Sequence, residues 1–184
     1  DDVLIYAAAG GVGLFLCQWA KYLGARVIGI VSTSEKAEIA QHNGCSEIIY
    51  ADDKQLIKKT KKLTNGNGVT AVYDSVGRET FYQSLDCLRP HGVMISYGNA
   101  TGAVEPFPVL ELASRGSLFV TRPVLSDFIK ERQDLVNAAD ELFTLISKKV
   151  IRVHLNTIMP LADVAEAHVN LESRSTTGST ILKP

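Results

Sequence analysis

Ala7-Ala8-Ala9-Gly10-Gly11-Val12-Gly13 follows the apolar run Val3-Leu4-Ile5-Tyr6 and opens directly into an amphipathic stretch. A buried strand that passes through a glycine turn into a helix is the entrance to a dinucleotide-binding βαβ unit. Each glycine answers a separate need. One lets the chain turn tightly, one lets the backbone approach a diphosphate, and one lets helix and strand pack closely. The helix start then offers unpaired N–H groups and the positive end of its dipole to the phosphates. Gly10 and Gly13 hold the last two glycine positions, Gly11 is an extra, and Ala7 stands where the first glycine usually does. The plain alternative for these glycines is an ordinary tight turn between strand and helix. The buried strand starts almost at residue 1, so a piece cut from a larger protein is expected rather than a minimal nucleotide-binding protein.

Outward from that turn, strand and helix signals alternate. Val3–Ala8 reads as a strand and Val12–Leu23 as a helix, with Gly24 at the position of a C-terminal cap. Arg26–Val31 is a second strand, apolar after its first residue, as expected when helices cover both sheet faces. Ser34–Asn43 is a helix closed by Gly44, Glu47–Tyr50 a third strand and Leu56–Leu63 a helix ended by Asn65-Gly66-Asn67-Gly68. Val69–Tyr73 is a fourth strand and Glu79–Cys87 a helix. The loop Arg89-Pro90-His91 leads to a fifth strand, Gly92–Tyr97. Val109–Ser114 is a short helix and Leu118–Thr121 a sixth strand. Ser126–Lys149 is one long helix, or two with a bend near Asp134.

This βαβ rhythm predicts an α/β fold, a doubly wound parallel Rossmann sheet of six strands in the order 3-2-1-4-5-6. From Ile151 the rhythm changes: Val153–Asn156 is a short strand, Leu161–Leu171 a helix and Thr180–Leu182 a last strand. This tail is expected to lie outside the parallel sheet.

Composition narrows the function classes. The 184 residues suit one domain of ordinary size, and 46% hydrophobic with 21% charged residues is normal for a globular protein. A formal net charge of −1 gives no broad basic field, so nucleic acid and anionic membrane are poor candidates as partners. No apolar run approaches the roughly 18 to 20 residues that span a bilayer. Cys17, Cys45 and Cys87 are widely separated and odd in number, as expected of buried reduced thiols in a cytoplasmic protein. His42, His91, His154 and His168 show no metal-ligand spacing, so no metal is expected.

In a doubly wound sheet the ligand lies beyond the carboxyl ends of the strands, where the strand order reverses. An NAD site would offer an acid at the tip of the second strand, about 20 residues past the glycines. Here that strand runs into Ser32-Thr33-Ser34-Glu35-Lys36. A 2′-phosphate needs a cation and hydroxyl donors, so the reading is NADPH, with Ser32 and Lys36 as its contacts. Two alternatives stand beside it. Ser32 and Glu35 have capping-box spacing, and Lys36 also fits a solvated first-turn lysine. Glu35 on a ribose hydroxyl would reverse the choice of cofactor. After strand four, Asp74 is either a site residue or a helix N-cap. At the end of strand five, Tyr97 is either a core aromatic or a wall against the nicotinamide.

The glycine turn, with Gln18-Trp19-Ala20-Lys21 behind it, resembles the NADPH:quinone oxidoreductases. These are the zeta-crystallin-like, zinc-free branch of the medium-chain dehydrogenase/reductase superfamily. Val72-Tyr73-Asp74-Ser75-Val76-Gly77, Ser84-Leu85-Asp86-Cys87-Leu88, Gly98-Asn99, Val120-Thr121-Arg122-Pro123 and Glu172-Ser173-Arg174-Ser175-Thr176-Thr177-Gly178 carry the same resemblance in order. It implies hydride transfer from NADPH to a quinone or activated alkene, with no catalytic residue assigned in this chain. It also implies an N-terminal GroES-like catalytic domain that is absent here. Residues 1–150 would be the cofactor domain, and 151–184 the return of the chain to the absent one. By likeness, Gly11 and Val12 lie on the diphosphate, Tyr97 and Asn99 line the nicotinamide side, and Arg174 reaches the cofactor from the tail. The family often stacks a tyrosine after strand three. This chain has Ala51 in that slot and Tyr50 one position early. Relatives often dimerise through the sixth strand, and an exposed apolar edge favours such pairing, so a homodimer is expected. The rival reading is a nucleotide-binding module without catalysis, a sensing or RNA-binding relative. Polyketide enoyl reductases and Rossmann methyltransferases fit less well.

Overall fold

The computed structural model describes residues 1–173 and 176–184. Strands β1 (Asp2–Ile5), β2 (Arg26–Val31), β3 (Glu47–Tyr50), β4 (Val69–Asp74), β5 (Leu88–Ser96) and β6 (Phe119–Thr121) form a parallel sheet in the order β3-β2-β1-β4-β5-β6. The expected Rossmann order is observed.

Helices α1 (Gly11–Tyr22), α2 (Ser34–His42), α3 (Leu56–Leu63), α4 (Phe81–Cys87) and α5 (Leu110–Ser114) lie between these strands. Alternation along β1 divides the core between the two faces of the sheet. Leu4 and Tyr6 join Ile28, Ile30 and Val72 beneath Leu56, Phe81 and Leu85 of α3 and α4. Val3 and Ile5 join Val27 and Val31 against Cys17 of α1 and Ala37 and Ala40 of α2. Both faces are therefore covered, and β1 sits near the middle with β2 on one side and β4 on the other.

Several boundaries differ from the expected ones. β1 ends at Ile5, because Tyr6–Ala9 already belong to the turn. Arg89-Pro90-His91, expected as a loop, is carried within β5. The β4–β5 register shifts between Val69 and Ala71 to accommodate it, and His91 takes φ +60°. The long helical stretch is divided into α6 (Leu125–Phe128) and α7 (Arg132–Ser147), with the break just before Asp134.

The tail forms its own parallel two-stranded sheet from β7 (Leu155–Pro160) and β8 (Ser179–Lys183), outside the large sheet as expected. β7 starts two residues later than the expected strand, because its pairing follows β8. A 3₁₀ turn (Leu161–Asp163) and α8 (Val164–Glu172) connect the two strands.

The tail is pinned at two points, one on α1 and one on the glycine turn. Gln18 of α1 spans the backbone of Arg152, accepting from its N–H at 2.7 Å and donating to its carbonyl at 3.1 Å. The N–H of Gly178 donates to the Ala9 carbonyl at 3.0 Å, and Gly10 and Gly178 form an isolated parallel bridge.

Candidate functional site: a cleft over the end of the first strand

The turn after β1 is tight enough to be selective about its residues. Ala7 takes φ +49°, the left-handed conformation that favours glycine, at the position where the motif usually has one. Gly10 donates its N–H back to the Ala7 carbonyl at 2.9 Å. A Cβ on Gly13 would stand 2.2 Å from that same carbonyl oxygen, so Gly13 is the residue that lets α1 pack on the turn.

The N-cap of α1 is Gly10, which has no side chain to cap with, and the first turn carries no acid. The amides of Gly11, Val12 and Gly13 are thus the helix-start donors that P-loop and Rossmann sites turn on an anion. Val12 is 59% exposed, with its side chain turned away from the core.

A cleft of about 550 Å³ opens over the end of β1. Tyr6, Ala7, Ala9 and Gly10 form its floor, and Ile30, Val31, Ser32 and Lys36 form the wall at the tip of β2. The opposite wall comes from Ser75 and Val76 after β4 and from Glu79, Thr80 and Gln83 at the start of α4. Leu171 and Thr176 of the tail reach its rim, together with Ala51 and Ala100. The volume is in the range of cofactor and ligand sites.

Of the expected contacts, Gly10, Ser32 and Lys36 therefore share one cleft. Gly11, Val12 and Gly13 follow Gly10 on the same turn, at the start of α1. Tyr97 and Asn99 lie in the loop after β5, and neither lines this cleft, although the next residue, Ala100, does. Arg174 lies outside the described residues, between Leu171 and Thr176, which line the rim.

The capping-box alternative for Ser32 is corrected. The N-cap of α2 is Thr33, whose hydroxyl accepts from the Lys36 N–H at 3.3 Å. Ser32 lies one residue too early to cap, because β2 runs on to Val31. Glu35 does not line the cleft. Its carboxylate accepts from the Ser34 hydroxyl at 3.3 Å, and its own backbone N–H, with the Thr33 hydroxyl, holds it below the usual carboxylate range. Tyr50 instead borders a second, shallower depression with Ser32, Thr33, Asp52 and Asp53, while Ala51 faces the main cleft.

Asp74 neither caps α4 nor lines the cleft. It is fully buried, and α4 is capped by Thr80. Its Oδ1 accepts from the N–H groups of Val76 and Gly77 at 2.7 and 3.1 Å, and its Oδ2 accepts from the hydroxyls of Thr80 and Ser84 at 2.7 Å each. One carboxylate thereby ties the loop after β4 to α4, the two segments that form the far wall. Gly98 lets the loop after β5 press on that loop, since a Cβ there would stand 2.4 Å from the Ser75 carbonyl oxygen.

Tyr6, Glu79 and Gln83 are cleft residues that sequence reasoning missed. A hydroxyl at the end of the otherwise apolar run Val3-Leu4-Ile5-Tyr6 was the available signal for the first. Nothing local marks Glu79 and Gln83, because only the β4–α4 crossover brings them over β1.

Buried thiols lie nearby but outside the cleft. Cys17 and Cys45 have their sulfurs 3.4 Å apart, and the Cys45 contact and burial push the Cys17 thiol far up. Burial likewise pushes Cys87 up to about 11.

Among the described residues no group of three or more His, Cys, Asp or Glu could hold a metal ion, and no helix is long and apolar enough to cross a membrane.

Residues 11–143 match the family model described as zinc-binding dehydrogenase. The described residues do not fit a zinc ion, despite that description. The chain is 46% identical over its whole length to a quinone oxidoreductase of Pseudomonas aeruginosa, spanning 57% of that protein. It is 43% identical to a 2-haloacrylate reductase of a Burkholderia species, spanning 56% of it. The crystal structure of Escherichia coli quinone oxidoreductase complexed with NADPH superposes with a TM-score of 0.96 at 47% identity, covering all of this chain and 57% of that one. The chain thus spans little more than half the length of these relatives. With the match covering most of its residues, the chain belongs to the zinc-binding dehydrogenase family and carries the family's Rossmann domain.

Proposed function

We propose that the cleft holds NADPH and that the whole protein reduces a quinone or an activated alkene with it. The observation that carries this reading is the meeting of Gly10, Ser32 and Lys36 in one cleft at the carboxyl ends of β1 and β2, with no acid at the β2 tip. The amides of Gly11, Val12 and Gly13 bind the diphosphate, and Ser32 and Lys36 take the 2′-phosphate by a hydroxyl and an ammonium. When bound, NADPH supplies the hydride. Tyr97 and Asn99 flank the nicotinamide end, beyond the cleft on the β5 side, and Arg174 closes over the cofactor from the tail. The relatives named above, one a quinone oxidoreductase with NADPH and one a 2-haloacrylate reductase, support this substrate class.

Residues 1–150 constitute the cofactor domain in this reading, and 151–184 pack against a further, GroES-like domain. Val153, Leu155, Ile158, Leu161, Val169 and Ile181 leave large apolar side chains exposed on the tail, as a segment awaiting a partner surface does. Substrate sits between the two domains, so the 184-residue chain alone turns over little quinone. The protein is cytoplasmic and dimerises edge to edge through β6.

Titration with reduced nicotinamide fluorescence tests the cofactor assignment. NADPH is expected to bind at least about tenfold more tightly than NADH, and Lys36→Ala to remove most of that difference by weakening NADPH alone. Equal or tighter binding of NADH by the wild-type chain would overturn it.

A further inference from the structure

The far wall of the cleft carries a donor and an acceptor that phosphate binding leaves unused. The cleft crosses the end of β1, from Ser32 at the β2 tip to Val76 after β4. A ribose held at Ser32 directs its base across β1 toward α4. There Ile30 and Val76 give the base two apolar surfaces, and Glu79 and Gln83 bring polar groups to the same space.

The polarity of that pair is fixed from below. The Tyr6 hydroxyl donates to Gln83 Oε1 at 3.0 Å. Burial pushes the Tyr6 phenol far above its ordinary range, so it keeps its proton and remains a donor. With Oε1 engaged, the amide Nε2 is the group that Gln83 offers a ligand, and it can only donate. Glu79 stands four residues earlier, and its carboxylate accepts. A donor beside an acceptor matches the edge of a 6-aminopurine, where a ring nitrogen accepts and the exocyclic amine donates. A 6-oxopurine presents the reverse, a carbonyl oxygen beside a ring N–H.

We infer that Glu79 and Gln83 read the edge of the purine base and select adenine dinucleotides over their deaminated, hypoxanthine counterparts. This rests on the cleft being the NADPH site. Left facing the wrong edge, the half-buried Gln83 amide and the exposed Glu79 carboxylate each lose a partner, and a site that reads its ligand by polar contacts discriminates by that loss.

The test compares NADPH with reduced nicotinamide hypoxanthine dinucleotide phosphate in fluorescence titrations of the full chain. The variants are Gln83→Leu, Glu79→Gln and Lys36→Ala, each checked for an unchanged thermal melt. The wild-type chain is expected to bind the hypoxanthine form about tenfold or more weakly. Gln83→Leu and Glu79→Gln should each narrow the ratio to less than about threefold, while Lys36→Ala weakens both dinucleotides and keeps the ratio. NADPH binding with a wild-type ratio near one overturns the base reading and leaves the dinucleotide site standing. So does a tenfold ratio that survives both wall variants. Failure of NADPH itself to bind overturns the two readings together.

Discussion

Single residues decide whether the glycine turn can form, and they do so by volume. Ala7 already occupies a left-handed conformation at φ +49°, which costs a non-glycine residue of order 1 kcal/mol. Gly13 leaves no such tolerance, because the atom that its Cβ would meet at 2.2 Å is backbone. Gly13→Ala is therefore expected to destabilise the fold by about 1–3 kcal/mol through displacement of α1 from the turn. Urea unfolding measures this, and a change below about 0.5 kcal/mol would show that the turn yields freely. The sequence made this residue legible, since the glycine spacing between a strand and a helix has few other uses. It did not make Asp74 legible. An aspartate after a strand reads equally as cap or ligand, and only the fold reveals a carboxylate buried under four donors. Ser32 was half legible: its place at the β2 tip was right, while the cap belonged to Thr33 one residue later.

Elements are positioned by contacts that lie far apart in sequence, and these were the contacts hardest to read. β2, β3 and α3 match their expected bounds because strong local periodicity, glycine stops and a turn cluster agree with the packing. β7 and β5 shifted because their ends follow a partner strand instead of their own residues. The tail is the clearest case. Its separation from the main sheet was visible in the broken rhythm after Ile151, but its attachment through Gln18 to Arg152 was not, since 134 residues separate the pair. Gln18→Leu removes both of these hydrogen bonds and leaves the Arg152 backbone unpaired, at a cost of about 1–3 kcal/mol. Amide hydrogen exchange should then accelerate across 152–183 and stay unchanged in β1, β2 and β4. Equal acceleration in the sheet would mean that tail and sheet open as one unit.

At the scale of the whole molecule, two of the regions that leave apolar surface open bear on assembly. One is the tail. The other surrounds β6, which pairs only with β5 among the described residues and ends the sheet. Phe119, Val124, Leu125 and Phe128 are each more than half exposed there. An edge of this kind is a pairing surface unless something covers it. Sedimentation of the chain is expected to give a dimer, and Phe119→Asp a monomer with an unchanged circular-dichroism spectrum. A wild-type monomer at tens of micromolar would remove β6 as the interface. Sheet order and cleft position were both readable from the βαβ rhythm, because a doubly wound sheet leaves one place for a ligand. The far wall was not readable, because it exists only once β4 and α4 have crossed over β1.

A crystal structure of the chain soaked with NADPH puts the glycine turn to the most direct trial. The diphosphate should rest on the amides of Gly11, Val12 and Gly13, with the 2′-phosphate beside Ser32 and Lys36 and the adenine edge against Glu79 and Gln83. Density for the dinucleotide anywhere else, or a diphosphate turned away from the start of α1, would contradict the assignment of this cleft.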